Sequence, residues 1–256
     1  DGERLRIEDV VALSLRQRPV QLSADTVFRR RIAKGAEFLD RLLAEDGVIY
    51  GVTTGYGDSC TVSIPPELVP ELPHHLYAYH GCGAGRMLSP QETRAVLAAR
   101  LASLSQGMSG VSVGLLEQIA RLLQHDVLPQ IPAEGSVGAS GDLTPLSYLA
   151  AVLCGEREVL FEGQVRPAAE VLQTLGIQPL RLRPKEGLAI MNGTAVMTAM
   201  ACLAWSRANY LCQLATRITA MNVLASAGNA HHFDEALFAV KPHAGQQLVA
   251  RRIRED

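Results

Sequence analysis

Apolar residues recur at helical spacing over most of this chain, and a single short stretch alternates as a strand would. Between residues 23 and 46, Val27, Phe28, Ile32, Leu39, Leu42 and Leu43 fall on one stripe, opened by Ser23 and closed by Gly47, which predicts an amphipathic helix. Ser89-Pro90-Gln91-Glu92 reads as a capping box with proline in the first turn, starting an alanine- and leucine-rich helix that runs to about Ser105. A further helix is predicted over 112–124. From about Gly193 to Ser226 the chain is apolar around most of the helical circumference, interrupted by Arg207, Asn209 and Arg217, as in the central helix of a bundle. The exception is Arg157–Val165, where Glu158-Val159-Leu160-Phe161 and Gly163 predict a short hairpin. The pattern thus predicts a mostly α fold, a long antiparallel helix bundle with a minor β-hairpin, forming one helical domain over residues 1–256.

Composition narrows this little. With 256 residues, 48% hydrophobic and 20% charged, the chain is long and apolar enough to bury a core and is not a disordered segment. A net charge of −2 with scattered basic groups argues against nucleic acid or a membrane surface as partner. Arg29-Arg30-Arg31 is one short cationic run, and on a helix its members diverge towards solvent. Arg207 and Arg217 argue against a membrane span in the long apolar stretch. Five cysteines with no CxxC pair and no histidine at ligand spacing predict no metal site and a reducing, cytoplasmic setting. Cys202 and Cys212 are expected to be buried as small hydrophobes, and Cys82 to serve packing. Asp1 is not a start residue and no signal peptide follows it, so the natural start is expected upstream.

The chemistry concentrates in Gly135-Ser136-Val137-Gly138-Ala139-Ser140-Gly141-Asp142-Leu143. In Ala139-Ser140-Gly141 the side chains are small enough for the Gly141 nitrogen to reach the Ala139 carbonyl carbon. Ring closure with loss of one water, then loss of the Ser140 hydroxyl as a second, would leave a methylidene carbon poor in electrons. Competing readings fit less well. Gly81-x-Gly83-x-Gly85 is not a dinucleotide fingerprint, no P-loop lysine follows Gly141, and Ser140 lacks a hydrolase elbow. His231 and His232 read as helix-end or surface residues.

The string GSVGASGDLTPLSYLA, with Ile49-Tyr50-Gly51-Val52-Thr53-Thr54-Gly55-Tyr56-Gly57 upstream and Met191-Asn192-Gly193-Thr194 downstream, resembles the aromatic amino acid ammonia-lyases and aminomutases along nearly the whole chain. The resemblance implies the N-terminal portion of the ammonia-lyase fold. It also implies a prosthetic group, 4-methylidene-imidazol-5-one (MIO), made from Ala139, Ser140 and Gly141, with no external cofactor. The implied reaction is non-oxidative elimination of ammonia from an aromatic L-amino acid to an α,β-unsaturated acid. The substrate amine or its ring meets the MIO carbon, and sequence does not choose between them.

In the family, the residue matched by Tyr50 takes the β-hydrogen; a free phenol titrates near about pH 10, so the site is expected to lower that value. The match at Asn192 implies a hydrogen bond to the imidazolone oxygen, a form of oxyanion stabilisation, and that at Asp142 implies help in cyclisation. Read without the resemblance, Tyr50 is a half-buried packing residue, Asn192 an N-cap or turn residue, and Asp142 a turn carboxylate. Tyr79-His80 aligns with the pair that selects the substrate ring. Histidine lyases typically carry Ser-His there, tyrosine lyases His-Leu and phenylalanine lyases Phe-Leu. Tyr-His therefore implies a polar ring, since an unsubstituted phenyl would leave His80 unsatisfied. Thr53-Thr54-Gly55 leans towards tyrosine, so histidine and tyrosine stand level as substrates. His243-Ala244-Gly245-Gln246 resembles another family loop.

The family's later segments, bearing a carboxylate-binding arginine, a second tyrosine and a glutamate, have no counterpart in the sequence. The resemblance implies a homotetramer for the full-length form, with sites shared among subunits. This chain is then expected to be the N-terminal half of a longer lyase, with its own activity in doubt. A MIO-dependent aminomutase and a non-catalytic helical scaffold are the alternatives.

Overall fold

The structure, a computed structural model, describes residues 2–45, 47–138 and 141–255. By internal contacts the chain divides into two compact units, Asp1–Leu203 and Ala204–Asp256.

The first unit opens with α1 (Ile7–Ser14) and α2 (Thr26–Ala44). Asp25, not Ser23, caps α2, accepting from the amides of Val27 and Phe28 at 3.2 Å each. Ser23 instead takes the Asp25 amide at 3.1 Å and so orients the capping residue. Phe28, Ile32 and Ala36, spaced four apart, form the buried stripe. Val27, one residue off that stripe, is 72% exposed, contrary to the sequence pattern.

Next come α3 (Leu72–Tyr79), β1 (Ala84–Met87), α4 (Pro90–Leu104) and α5 (Val113–Gln124). The capping box of α4 is closed in both directions: Ser89 Oγ accepts from the Glu92 amide, and Glu92 Oε2 accepts from the Ser89 amide at 2.7 Å. Ser112 caps α5, whose Leu115, Leu116, Ile119 and Leu122 are fully buried. Each such leucine stabilises the fold by roughly 1.5–3 kcal/mol through loss of apolar surface.

Then follow β2 (Leu128–Pro129), β3 (Pro132–Glu134), α6 (Leu143–Leu153), β4 (Glu158–Phe161), β5 (Gln164–Pro167), α7 (Ala168–Thr174), α8 (Glu186–Met191) and α9 (Ala195–Ala225). The expected hairpin is β4–β5, turning on Glu162 and Gly163, both at positive φ as a two-residue primed turn requires. β2 extends it to three strands, and β1 pairs antiparallel with β3. These pairings were not visible in a sequence where β2 and β3 each carry a proline. The long helix expected from about Gly193 to Ser226 is α9, and a break at Asn192–Thr194 separates it from the short α8, which the sequence pattern did not predict. α3, α6 and α8 pack on one another, and Leu146, Leu149, Leu188 and Met191 join the main core.

The second unit holds the remainder of α9, α10 (Glu235–Ala239) and α11 (Ala244–Glu255). Gln247 Nε2 donates to the carbonyls of Phe238 and Lys241, tying α11 to the chain leaving α10. His231 and His232 are exposed in a 3-10 turn. Cys202 is buried, but Cys212 is exposed, because the apolar circumference of α9 is not covered along its length. By length and apolarity alone, Glu186–Ala225 would suffice to cross a membrane, so Arg207 and Arg217 do not by themselves exclude a span. Half of its apolar window is buried in the fold, as in a core helix.

Candidate active site

The loop after α2 is folded by its own threonines. Thr53 Oγ1 accepts from the Ile49 amide at 2.8 Å, and Thr54 Oγ1 accepts from the Gly51 amide at 3.2 Å. Ile49 and Val52 turn inward and pack with Val69, Leu39 and Leu42. Tyr50, between them, is turned out and half-buried, at 47% exposed. Its Oη accepts from the Gly57 amide at 2.9 Å, and its ring meets Tyr56 edge-on at 6.5 Å. Burial, with a smaller contribution from Tyr50, pushes the Tyr56 phenol up to about 12. Tyr56 thus keeps its proton firmly, and of the loop's two phenols Tyr50 is the one turned out to the surface.

Of the tripeptide, Ala139 and Ser140 lie outside the described residues, and Gly141 is described. The Gly141 amide donates to the Gly138 carbonyl at 3.2 Å, which draws the chain on either side together. Gly141 has φ +106°, and a Cβ there would stand 2.5 Å from the Gly193 nitrogen and 3.3 Å from Asn192 Cα. A glycine is required on both counts. Asp142 follows, wholly buried. Its Oδ1 accepts from Ser136 Oγ at 2.5 Å, and its Oδ2 from the amides of Val196 and Met197 at 2.7 and 3.0 Å. The Asp142 amide donates to the Gly193 carbonyl at 2.8 Å. Asp142 thus holds the tripeptide's downstream flank against the Asn192–Gly193 turn and the start of α9. A cradle that only a glycine backbone fills, pressed against an asparagine, fits a ring built from residues 139–141.

Asn192 ends α8, its amide donating to the Leu188 carbonyl at 2.8 Å, and its residue surface is exposed. Tyr50 and Asn192 line one open cleft of about 250 Å³ together with Met108, Ser109, Lys185, Leu188 and Ala189. Two residues far apart in sequence, both singled out by the family resemblance, are thus brought together. Lys185 was missed by sequence reasoning. It donates to the Tyr50 carbonyl at 3.2 Å, and burial lowers its pKa. Nothing local set it apart, because it closes the charged stretch Arg181-Leu182-Arg183-Pro184-Lys185-Glu186 ahead of the apolar run. Arg100 was missed as well. It sits on α4 in register with Val96 and Leu104, both fully buried, so a charge stands where the helix pattern demands an apolar residue.

Among the described residues that line the cleft, neither Tyr79 nor His80 is present. Tyr79 is 81% exposed at the end of α3, its ring edge-on to His80 at 5.1 Å. His80 Nδ1 lies 2.8 Å from the Leu76 carbonyl. Because a carbonyl only accepts, Nδ1 carries a proton in this contact, and Nε2 is the ring's acceptor in the neutral form. Just beyond, β1 pairs with β3, and a Cβ on Gly135 would stand 3.5 Å from Gly83 Cα, so this segment runs beside the approach to the tripeptide. Among the described residues no group of His, Cys, Asp and Glu is clustered to hold a metal ion.

Residues 5–256 match the family model described as aromatic amino acid lyase. Histidine ammonia-lyase of Bos taurus is 38% identical over 255 residues, 99% of this chain and 38% of that protein. Histidine ammonia-lyase of Deinococcus radiodurans is 40% identical over 251 residues, 98% of this chain and 48% of that protein. Among solved structures, tyrosine aminomutase from Streptomyces globisporus superposes with a TM-score of 0.92 at 36% identity, covering 100% of this chain and 48% of the other. The chain therefore spans half or less of the length of these relatives, and it belongs to the aromatic amino acid lyase family.

Proposed function

We propose that this chain carries the electrophile-bearing part of a carbon–nitrogen lyase that eliminates ammonia from an aromatic L-amino acid with a polar ring. The observation that carries this reading is the cleft shared by Tyr50 and Asn192, with Gly141 pressed against the Asn192–Gly193 turn. MIO, formed from Ala139, Ser140 and Gly141 with loss of two waters, would supply an electron-poor carbon that no ordinary side chain offers. Tyr50 is the base for the β-hydrogen, reached from the open side of the cleft. Asn192 presents an amide where negative charge gathers, and such preorganised donors contribute about 3–4 kcal/mol to a barrier. Lys185 makes the cleft attractive to an amino-acid carboxylate. The Nε2 acceptor of His80 suits a ring bearing an N–H or O–H donor, which histidine and tyrosine both offer.

A second reading, the aminomutase that returns ammonia to the β-carbon, draws on the match to tyrosine aminomutase. Product analysis separates the two, since a lyase accumulates the unsaturated acid and a mutase the β-amino acid. Residues for carboxylate binding supplied by other subunits of a homotetramer would complete either site. Intact mass of the full-length protein is expected to fall short of the sequence by two waters, and Ser140→Ala is expected to restore the full mass and abolish turnover. Ser140→Ala at an undiminished rate would remove the proposal.

A further inference from the structure

Arg100 is 3% exposed, and its guanidinium is spent on backbone. Nη2 donates to the carbonyls of Ala189 and Asn192, the latter at 2.9 Å, and a Cβ on Gly193 would collide with Nη1. The Nε–H is buried without an acceptor among the described residues. Such an unpaired donor costs about 1–3 kcal/mol, so a residue present only to fill space between Val96 and Leu104 would be better leucine or methionine. Burial lowers the Arg100 pKa to about 10, with Asp142 acting in the opposite sense, so the group remains charged at neutral pH.

Two anchors therefore act on one turn. Arg100 grips the Asn192 carbonyl from α4, and the Asp142 amide grips the Gly193 carbonyl from the tripeptide's flank. Between them the turn is set where its Gly193 nitrogen and Asn192 Cα wall in Gly141. We infer that Arg100 is a positioning residue whose guanidinium clamps the Asn192–Gly193 turn onto Gly141, and that ring closure at residues 139–141 depends on this clamp. The inference rests on the function proposed above. The closure it assists adds the Gly141 nitrogen to the Ala139 carbonyl carbon; that oxygen leaves as water with the protons of the Gly141 and Ser140 amides, and a C=N bond forms to the Ser140 nitrogen. Loss of the Ser140 hydroxyl with its α-hydrogen gives the second water.

The test follows the appearance of the two-water mass deficit in freshly refolded full-length protein, for the wild type, Arg100→Gln and Arg100→Lys, beside their thermal unfolding. Misplacing reacting atoms by about 1 Å costs on the order of 100-fold, so Arg100→Gln is expected to acquire the deficit about 100-fold more slowly. Arg100→Lys, which keeps the charge but not the fork of donors, is expected to fall between. A merely structural role would lower the melting temperature and leave the dehydration rate alone. If the glutamine variant does not fold, Arg100→Lys carries the test alone, and slower dehydration at a wild-type melting temperature is expected. Wild-type dehydration rates in the folded variants overturn the clamp alone, whereas a wild type that never loses the waters overturns the proposed function and the clamp with it.

Discussion

Asp142 caps a helix that begins 53 residues away: its Oδ2 accepts from the Val196 amide at 2.7 Å and from Met197 in the same first turn of α9. Helix starts are ordinarily capped by the residue just before them, and α6, which Asp142 itself precedes, receives no side-chain cap from it. The carboxylate is committed instead to the positive end of α9, with Ser136 taking its other oxygen. The same residue that continues the tripeptide thereby fixes the start of the longest helix. Asp142→Ala is expected to cost about 3 kcal/mol or more in urea unfolding, because it strands two buried helix amides and leaves Arg100 without its neighbouring carboxylate. Asp142→Asn keeps an acceptor and is expected to lose less. A change within about 0.5 kcal/mol for the alanine variant would mean that the cap carries no stability.

Tyr50→Phe removes the exposed phenol while leaving the threonine bonds that shape its loop. Under the proposed function kcat of the full-length protein is expected to drop by about 10²–10⁴-fold, the usual scale for a lost general base, at little cost in melting temperature. Tyr56→Phe is the matched control. Its phenol, held up at about 12 by burial, is not positioned to exchange a proton at neutral pH. Equal losses from the two variants would show that the loop's shape matters and Tyr50 has no special part.

Glu92 closes the α4 capping box and pairs with Arg86 through both oxygens at 2.8 and 2.9 Å. The Arg86 hydrogen bonds, opposed by burial and helped by the Ser89 amide, bring its pKa down to about 2. A carboxylate depressed in the folded state stabilises fully above its unfolded value, near about 4.3, and loses that contribution as pH falls towards 2. Glu92→Gln is therefore expected to cost about 1 kcal/mol at neutral pH, and wild type and variant should converge on acidification to pH 2. A gap that stayed constant with pH would assign the effect to packing.

Helix α4 and the β4–β5 hairpin were legible because their signals are local: a capping box, and a strand pair around Glu162-Gly163. So were the three segments bearing Tyr50, Gly141 and Asn192. The start of α2 was misread by two residues because Ser23 and Asp25 both have capping side chains, and only the fold shows which one receives the helix amides. The start of α9 was legible to within two residues, but α8 was not, because Glu186–Met191 is too short to show a helical period. What Arg100 and Lys185 hold was illegible for a different reason, even though Arg100 stood out as a charge on an apolar helix face. Their partners are backbone carbonyls of distant residues, and a carbonyl leaves no mark on the sequence that supplies it.

Under the proposed function, His80 is the residue at which substrate choice can be tested. Its Nδ1 is occupied by the Leu76 carbonyl, so the neutral ring offers Nε2 as an acceptor, and a substrate ring without a donor would leave that acceptor unpaired. The backbone does not depend on the side chain here, because the His80 amide also donates to the Leu76 carbonyl, at 3.2 Å. His80→Leu should consequently fold as the wild type does while presenting an apolar surface beside Tyr79. A site built to hydrogen-bond a substrate rejects the analogue lacking that group by about 10⁴-fold or more, whereas apolar pockets discriminate by about 10²-fold. In the full-length protein the ratio of kcat/KM for histidine or tyrosine over phenylalanine is thus expected to fall by about 100-fold in His80→Leu. The fall should come from faster turnover of phenylalanine as well as slower turnover of the polar substrates. An unchanged ratio would place ring selection on other residues and leave the Tyr79–His80 pair as surface structure.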